Sequence, residues 1–233
     1  LDRYIENNTR SQSKKSAFNA IPTETTRGCP FTCDFCSVPE FYGRKLRHRP
    51  VDHVVQDLVH ANGKNFVFLD DNILGQASYA RQLFTEITDL KIHWGGQCSI
   101  STIQRHPDLL DLAAKSGCQA LYFGLESISP TTIKKFKKSM KSLENLEGQI
   151  KKIKDAGIHF HASIIFGFDD DTKAVFPEAL EFLHRNKIST ASFHIMTPFP
   201  GTKFFTDMQA AGRILTTTWA DYHWDTVVFK PIG

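Results

Sequence analysis

The sequence predicts an α/β fold, a partial (β/α)6 TIM-like barrel with parallel strands inside and helices outside. Three observations carry this reading. Apolar stripes of helical period recur and end at a glycine, and a short β run follows each. The later strand-like runs alternate polar and apolar residues. About six such units follow one another with no strong compositional break between them.

Residues 1–17 are mostly polar and start at Leu1, so they read as a linker or truncated extension ahead of a core domain over 18–233. A first strand is expected at 19–26. Val51, Val54, Val55 and Leu58 make a helical stripe, closed by Gly63 and followed by a strand over Asn65–Asp70. A helix near 78–88 then leads to a strand at 91–100. Leu109, Leu110, Leu112 and Ala113 precede Gly117 and the strand Gln119–Glu126. Leu146, Ile150, Ile153 and Ala156 precede Gly157 and the strand His159–Gly167. Helices near 172–186 and 202–212 flank a last strand at 190–197. Each closing glycine suits a left-handed helix cap. The units are too few for a closed eightfold barrel, and an open doubly wound sheet also satisfies the alternation.

The strand faces favour a barrel with an open lumen. One face carries His93, Gln97 and Ser99, then Tyr122 and Glu126, then His159, His161 and Ser163, then Ser192 and His194. The opposite face carries Leu121, Phe123, Leu125, Phe160, Ile164 and Phe166. In a sheet covered by helices, the polar face turns inward, and that many polar groups need a wet or ligand-filled interior. A solvent-facing side of the sheet is the competing explanation.

Composition narrows the function classes. With 233 residues, 41% hydrophobic and 23% charged, the chain fits one domain with a sizeable core. A net charge of +3 is too mild to argue for a nucleic-acid or anionic-membrane partner. The sequence contains no apolar run of membrane-spanning length and no signal-peptide core. The lysines at 134, 135, 137, 138 and 141 read as a solvated helix face. Five cysteines is an odd number, and three of them lie close together, which fits a reducing cytoplasm better than a disulfide framework. Cys98 and Cys118 stand alone in apolar segments and read as buried small hydrophobes.

The chemistry concentrates in Gly28-Cys29-Pro30-Phe31-Thr32-Cys33-Asp34-Phe35-Cys36, a CxxxCxxC spacing. Close thiolates wrap a cubane iron–sulfur cluster because each binds its own iron, and three of them leave one iron open. An open metal position is where a cofactor or substrate binds. A zinc site of these cysteines with His48 competes with this reading, as does a passive electron-transferring cluster, which would want a fourth cysteine nearby.

Further runs extend the motif. They are Thr26-Arg27-Gly28-Cys29-Pro30, Phe41-Tyr42-Gly43-Arg44, Arg49-Pro50-Val51-Asp52, Asp70-Asp71-Asn72-Ile73, Gly124-Leu125-Glu126-Ser127 and Phe166-Gly167-Phe168-Asp169. Thr197-Pro198-Phe199-Pro200-Gly201-Thr202 and Val227-Val228-Phe229-Lys230-Pro231 complete the series. In order and spacing the chain resembles the radical S-adenosylmethionine (SAM) superfamily, and within it the cobalamin-binding-domain proteins that include hopanoid methylases and a bacteriochlorophyll ring cyclase. The resemblance covers about residues 20–231. It implies a [4Fe–4S] cluster on Cys29, Cys33 and Cys36, with SAM chelating the open iron. A reduced cluster then cleaves SAM to a deoxyadenosyl radical that abstracts hydrogen from a small-molecule substrate.

The same resemblance implies roles for other residues. Phe35 matches the aromatic that packs near the adenine. Asp70, Asp71 and Asn72 stand where the family receives the SAM ammonium. Glu126 and Ser127 match the position that bonds the ribose or methionyl end, and Ser163 to Gly167 matches the adenine-binding segment. Pro198, Gly201 and Thr202 shape the site wall or form an ordinary turn and helix cap. Arg44, Lys45, Arg47, His48 and Arg49 form a basic cluster suited to a carboxylate or to an electron donor such as flavodoxin or ferredoxin. His161 and His194 are candidate substrate contacts, or ordinary core histidines. Members of the subgroup carry a cobalamin domain before this core and further sequence after it, so the chain reads as a fragment that meets cobalamin only through a domain outside it. A tRNA-modifying radical SAM enzyme and a non-catalytic zinc or iron–sulfur module remain as alternatives.

Overall fold

The computed structural model describes residues 20–129, 131–132 and 145–232. The expected extension at 1–17 and the lysine face at 134–141 lie outside them. Helix α1 (Val38–Tyr42) follows the cysteines, and α2 (Val51–Ala61) and α3 (Ala77–Ile87) follow in turn. Next come α4 (Ile100–Arg105), α5 (Asp108–Lys115), α6 (Leu146–Asp155), α7 (Val175–Arg185) and α8 (Lys203–Ala210). The main strands are β1 (Ile21–Thr23), β4 (Asn65–Phe68), β5 (His93–Cys98), β6 (Cys118–Glu126), β7 (His159–Phe166) and β8 (Thr190–Ile195). They form one 6-stranded sheet in the order β1-β4-β5-β6-β7-β8, and every pairing is parallel. The sheet does not close, which makes it the partial barrel the sequence predicts.

The core follows from the helical stripes. α2 buries Val51, Val54 and Leu58, α3 buries Ala80, Leu83, Phe84 and Ile87, and α7 buries Ala179, Phe182 and Leu183 against the outer face of the sheet. Trp94 lies at the centre, 5.3 Å from the ring of Phe68 and 4.9 Å from that of Phe84, and its indole N–H donates to Ser116 O at 3.1 Å. Gly117 has φ +96°, and a Cβ there would collide with the carbonyl of Ile92, so this turn requires glycine.

Three expectations need correction. The strand at 19–26 is two pieces. β1 joins the sheet, while β2 (Thr26–Arg27) leaves it and pairs antiparallel with β3 (Arg47–His48). Its break comes at Thr25, where side-chain bonds to Asp70 replace the ladder. The left-handed cap of α2 is Asn62 (φ 48°), whose N–H bonds Val59 O, and not Gly63; asparagine tolerates that conformation. The polar strand face is also divided. His93 and His159 sit exposed at the amino ends of their strands, with His159 bonded to Thr190, and only the residues nearer the carboxyl ends face a common cavity.

A second, smaller core of Phe168, Met196, Phe204, Met208 and Phe229 packs at the carboxyl end of the sheet, with Phe35 against it. Arg213 locks this region. Its guanidinium pairs with both carboxylate oxygens of Asp169, and its Nε donates to Lys230 O at 2.7 Å. The pair is half-buried and joins the turn after β7 to the closing segment. Among the described residues no helix is long and apolar enough to cross a membrane. Arg213→Ala removes the cation from a half-buried Asp169 and is expected to cost about 2 kcal/mol, read as a lower urea midpoint with an unchanged slope.

Candidate active site

The cysteine loop is held by two adjacent carboxylates at the end of β4. Asp70 is fully buried and accepts from the N–H and hydroxyl of Thr25 and of Thr26. Burial raises its pKa, and these four donors oppose that rise. Asp71 Oδ2 accepts from Gly28 N at 3.1 Å, one residue before Cys29. Gly28 has φ +94°, and a Cβ there would lie 3.0 Å from Lys45 O, so glycine is needed for the β2–β3 ribbon to close over the loop. Inside the loop Cys36 N bonds Cys33 O at 3.1 Å, and Phe204 N bonds Asp34 O at 3.0 Å.

A cavity opens beneath the loop at the carboxyl ends of β5 to β8, the end at which (β/α) folds gather functional groups. Its smaller lobe, about 220 Å³, is lined by Cys29, Cys33, Cys36, Asp71, Asn72, Gln97, Ser99, Tyr122, Glu126 and Ser163, among others. The larger lobe, about 480 Å³, shares Cys36, Gln97, Tyr122, Glu126 and Ser163 and adds Phe35, His194, Met196, Phe199 and Trp224.

Most of the expected site residues meet here, and three do not. Asp70 turns away into Thr25 and Thr26. Ser127 is buried, and its hydroxyl accepts from Ser129 N at 3.0 Å. Gly167 does not line either lobe and donates its N–H to Asp171, whose carboxyl is pushed up by burial. These three residues support the cavity wall. Of the basic cluster, Arg49 pairs with Asp57 at 2.5 Å and the His48 ring packs 4.9 Å from Tyr79. Thr202 caps α8 by accepting from Phe205 N at 3.1 Å.

Glu126 reaches the cavity by a backbone irregularity. The register of β6 on β7 slips between Gly124 and Glu126, and Glu126 takes φ +63°. A bulge of this kind re-aims a side chain, here at a conformational cost of about 1 kcal/mol. Sequence reasoning did not place Cys98, Gly124, Phe31 or Trp224 at the site. Cys98 gave only an apolar-strand signal, Gly124 and Phe31 stood in motif runs without a role of their own, and Trp224 lies in a stretch with no period at all.

The residues fit an open-iron cluster and an amino-acid ligand. Burial raises the Cys36 thiol to about 11 and the Cys29 thiol above its usual value. Such thiols are held protonated until a metal displaces the proton. Among the described residues no three Cys, His, Asp or Glu side chains converge on one point as a single ion requires. A cubane makes a different demand, one thiolate per iron. Asn72 is 2% exposed, and neither Nδ2 nor Oδ1 has a hydrogen-bond partner, although its amide weakly favours the Cys29 thiolate. A buried donor and acceptor left open together are costly, and they match the carboxylate and ammonium of an amino acid.

Deeper in the sheet, Tyr122 OH lies 3.1 Å from His194 Nε2, and His161 Nε2 lies 2.8 Å from Ser192 Oγ. The rings of Tyr122 and His161 are 4.8 Å apart. Burial, with His159 and His194 nearby, lowers the pKa of His161. The folded state therefore binds fewer protons than the unfolded one in the window below pH 6.5. Stability is complete above that value and falls as the pH drops through the window. An NMR titration should place the His161 midpoint below 6.5, and His161→Gln should flatten the acid side of the stability profile.

Comparison with known proteins shows what the chain and its fold are similar to. The Radical SAM superfamily profile matches residues 23–183. The bacteriochlorophyllide d C-12(1)-methyltransferase of Chlorobaculum tepidum is 33% identical over 227 residues, 95% of this chain and 49% of that protein. The anaerobic magnesium-protoporphyrin IX monomethyl ester cyclase of Cereibacter sphaeroides is 28% identical over 223 residues, 91% of this chain and 35% of that protein. Among solved structures, the radical S-adenosylmethionine methyltransferase TsrM from Kitasatospora setae, with cobalamin and a [4Fe–4S] cluster bound, superposes with a TM-score of 0.75 at 19% identity. That match covers 91% of this chain and 44% of TsrM. The chain spans about half the length of the first of these relatives and less of the others.

Proposed function

The chain belongs to the radical SAM superfamily, and we propose that it is the catalytic core of an enzyme for methyl transfer to, or ring closure on, a ring-bearing organic substrate. In this reading Cys29, Cys33 and Cys36 hold a [4Fe–4S] cluster, the smaller lobe takes SAM and the larger lobe takes the substrate. The observation that carries it is the unpartnered amide of Asn72, buried in the same lobe as all three cysteines. When bound and reduced, the cluster supplies the electron that cleaves SAM to methionine and a deoxyadenosyl radical.

The chain's own residues bind, orient and exclude water. Asn72 and Asp71 receive the amino-acid end of SAM, and Glu126 and Ser163, which line both lobes, hold its ribose and adenine side. Phe35, Ile165, Met196, Phe199 and Trp224 give the larger lobe apolar walls, and Tyr122 with His194 supplies a polar end. Such a lobe suits a flat substrate with a polar edge. The printed activities of the methyltransferase and cyclase relatives support methyl transfer or cyclisation. The cobalamin in TsrM supports a second cofactor carried by a domain outside these residues. An acidic electron carrier such as flavodoxin or ferredoxin would reduce the cluster, and three clustered cysteines outside any disulfide suit a reducing cytoplasm.

Anaerobic reconstitution followed by dithionite and SAM should yield deoxyadenosine; none from a fully loaded cluster overturns the proposal. Asn72→Leu is expected to weaken SAM binding about tenfold while leaving the brown chromophore intact, the scale of one lost hydrogen-bonding group. Equilibrium binding of SAM to the reconstituted variant checks this.

A further inference from the structure

The inward face of β6 to β8 carries a column of paired polar groups that a packed barrel interior lacks. Packed (β/α) barrels fill these layers with branched apolar side chains. Here Tyr122 OH lies 3.1 Å from His194 Nε2, and His161 Nε2 lies 2.8 Å from Ser192 Oγ. His159 bonds Thr190 at the exposed amino end. The rings of Tyr122 and His161 are 4.8 Å apart, which joins the first two pairs. On its other side the His194 ring meets Trp224 edge to face, with centroids 5.7 Å apart. Ring contacts thus hold both partners of the Tyr122 hydroxyl bond in place.

Tyr122 also stands on the boundary between the two lobes of the cavity. Among the described residues that line both lobes, only Cys36 and Tyr122 carry a weakly bonded hydrogen on a heteroatom. Thiol S–H and phenol O–H bonds are weaker than the C–H bond that forms when an alkyl radical is quenched. The polar groups of Gln97, Glu126 and Ser163 hold their hydrogens more firmly. In the cluster reading Cys36 is a ligand without its proton, which leaves Tyr122. Cys98 also has a thiol, but it lines the smaller lobe alone.

We propose that Tyr122 is a hydrogen-atom donor that quenches a deoxyadenosyl radical formed while the larger lobe is empty, with His194 stabilising the phenoxyl left behind. This rests on the reading that the smaller lobe takes SAM beside a reduced cluster. The phenol O–H bond of Tyr122 breaks homolytically and a C–H bond of deoxyadenosine forms, so the unpaired electron passes to Tyr122. His194, with its proton on Nε2, donates to the phenol oxygen and leaves the phenolic hydrogen directed into the lobe. One electron from the low-potential carrier that serves the cluster, together with one proton, then restores the phenol. The imidazole–hydroxyl pairs behind Tyr122 lead that proton in from the exposed end of the column. A bound substrate fills the larger lobe and offers its own hydrogen, so Tyr122 acts only on misfired cleavage.

The test uses reconstituted protein and SAM in deuterium oxide, with no substrate and with dithionite limited to the electron that each cluster can hold. A phenol hydrogen exchanges with solvent and a carbon-bound one does not, so mass spectrometry of the deoxyadenosine identifies the donor. The parent and Cys98→Ala should give mainly singly deuterated deoxyadenosine and a freeze-trapped tyrosyl signal by electron paramagnetic resonance. Tyr122→Phe should lose that signal and most of the deuterium. Parent protein grown on ring-deuterated tyrosine should show the signal with narrowed lines, which assigns it without any substitution. His194→Leu should raise the largest g-value of the signal, as a phenoxyl does without a hydrogen-bond donor, and an unchanged g-value overturns the part given to His194. Equal deuterium in parent and Tyr122→Phe, or its loss in Cys98→Ala instead, overturns Tyr122 as the donor. Unlabelled deoxyadenosine from the parent also overturns the donor alone. No deoxyadenosine from a fully loaded cluster is a different result, which overturns the reading beneath it.

Discussion

One buried carboxylate holds the site together. Asp70 follows β4 by two residues and takes every donor that Thr25 and Thr26 offer, so the chain leaving β1 is pinned beside the neighbouring strand where it turns toward the cysteines. A carboxylate buried this fully is tolerable because its lone pairs are filled, and removing it would leave four donors stranded. Asp71 then fixes Gly28, and the β2–β3 ribbon closes over the loop. The position of Cys29, Cys33 and Cys36 above the open end of the sheet is thus set by backbone anchoring. The three thiols line the smaller lobe of the cavity.

Around that anchor the barrel divides its labour by strand face and strand end. The outward faces of β6 and β7 stack Phe123 on Phe160 at 4.4 Å and carry the main core. The inward faces supply polar groups only near the carboxyl ends, where Gln97, Tyr122, Glu126, Ser163 and His194 meet. At the cavity, Glu126, the bulged residue common to both lobes, takes a positive φ. The second core beneath Phe35 and the Arg213–Asp169 lock give the loop a floor that does not depend on any bound group.

The sequence was most legible where period and punctuation are strongest. The parallel order, the helices after β4, β6 and β7, and the glycine turns at Gly117 and Gly157 follow from apolar stripes and left-handed caps. The cysteine spacing was legible for the same reason that it is useful, since the ligands of one cluster must lie on one loop. Asp70 faces Thr25 and Thr26 while Asp71 and Asn72 line the cavity, a division the sequence does not show because an acidic run at a strand end looks alike in either setting. Trp224 was invisible because its place comes from tertiary packing, with Ile195 N bonded to Trp224 O at 2.6 Å and no local pattern to announce it. The division of the polar strand face into an exposed rim and a cavity depends on height along the barrel, which a two-residue period does not encode.

The central claim is that three cysteines bind a cluster whose remaining iron is open to SAM. Mössbauer spectroscopy of the reconstituted, iron-57-enriched protein tests this most directly, because it resolves the irons of one cluster. On adding SAM, the account predicts that one iron of the [4Fe–4S] cluster shifts to a higher-coordinate signature while the others stay as they were. A spectrum unchanged by SAM at a fully loaded cluster would contradict it.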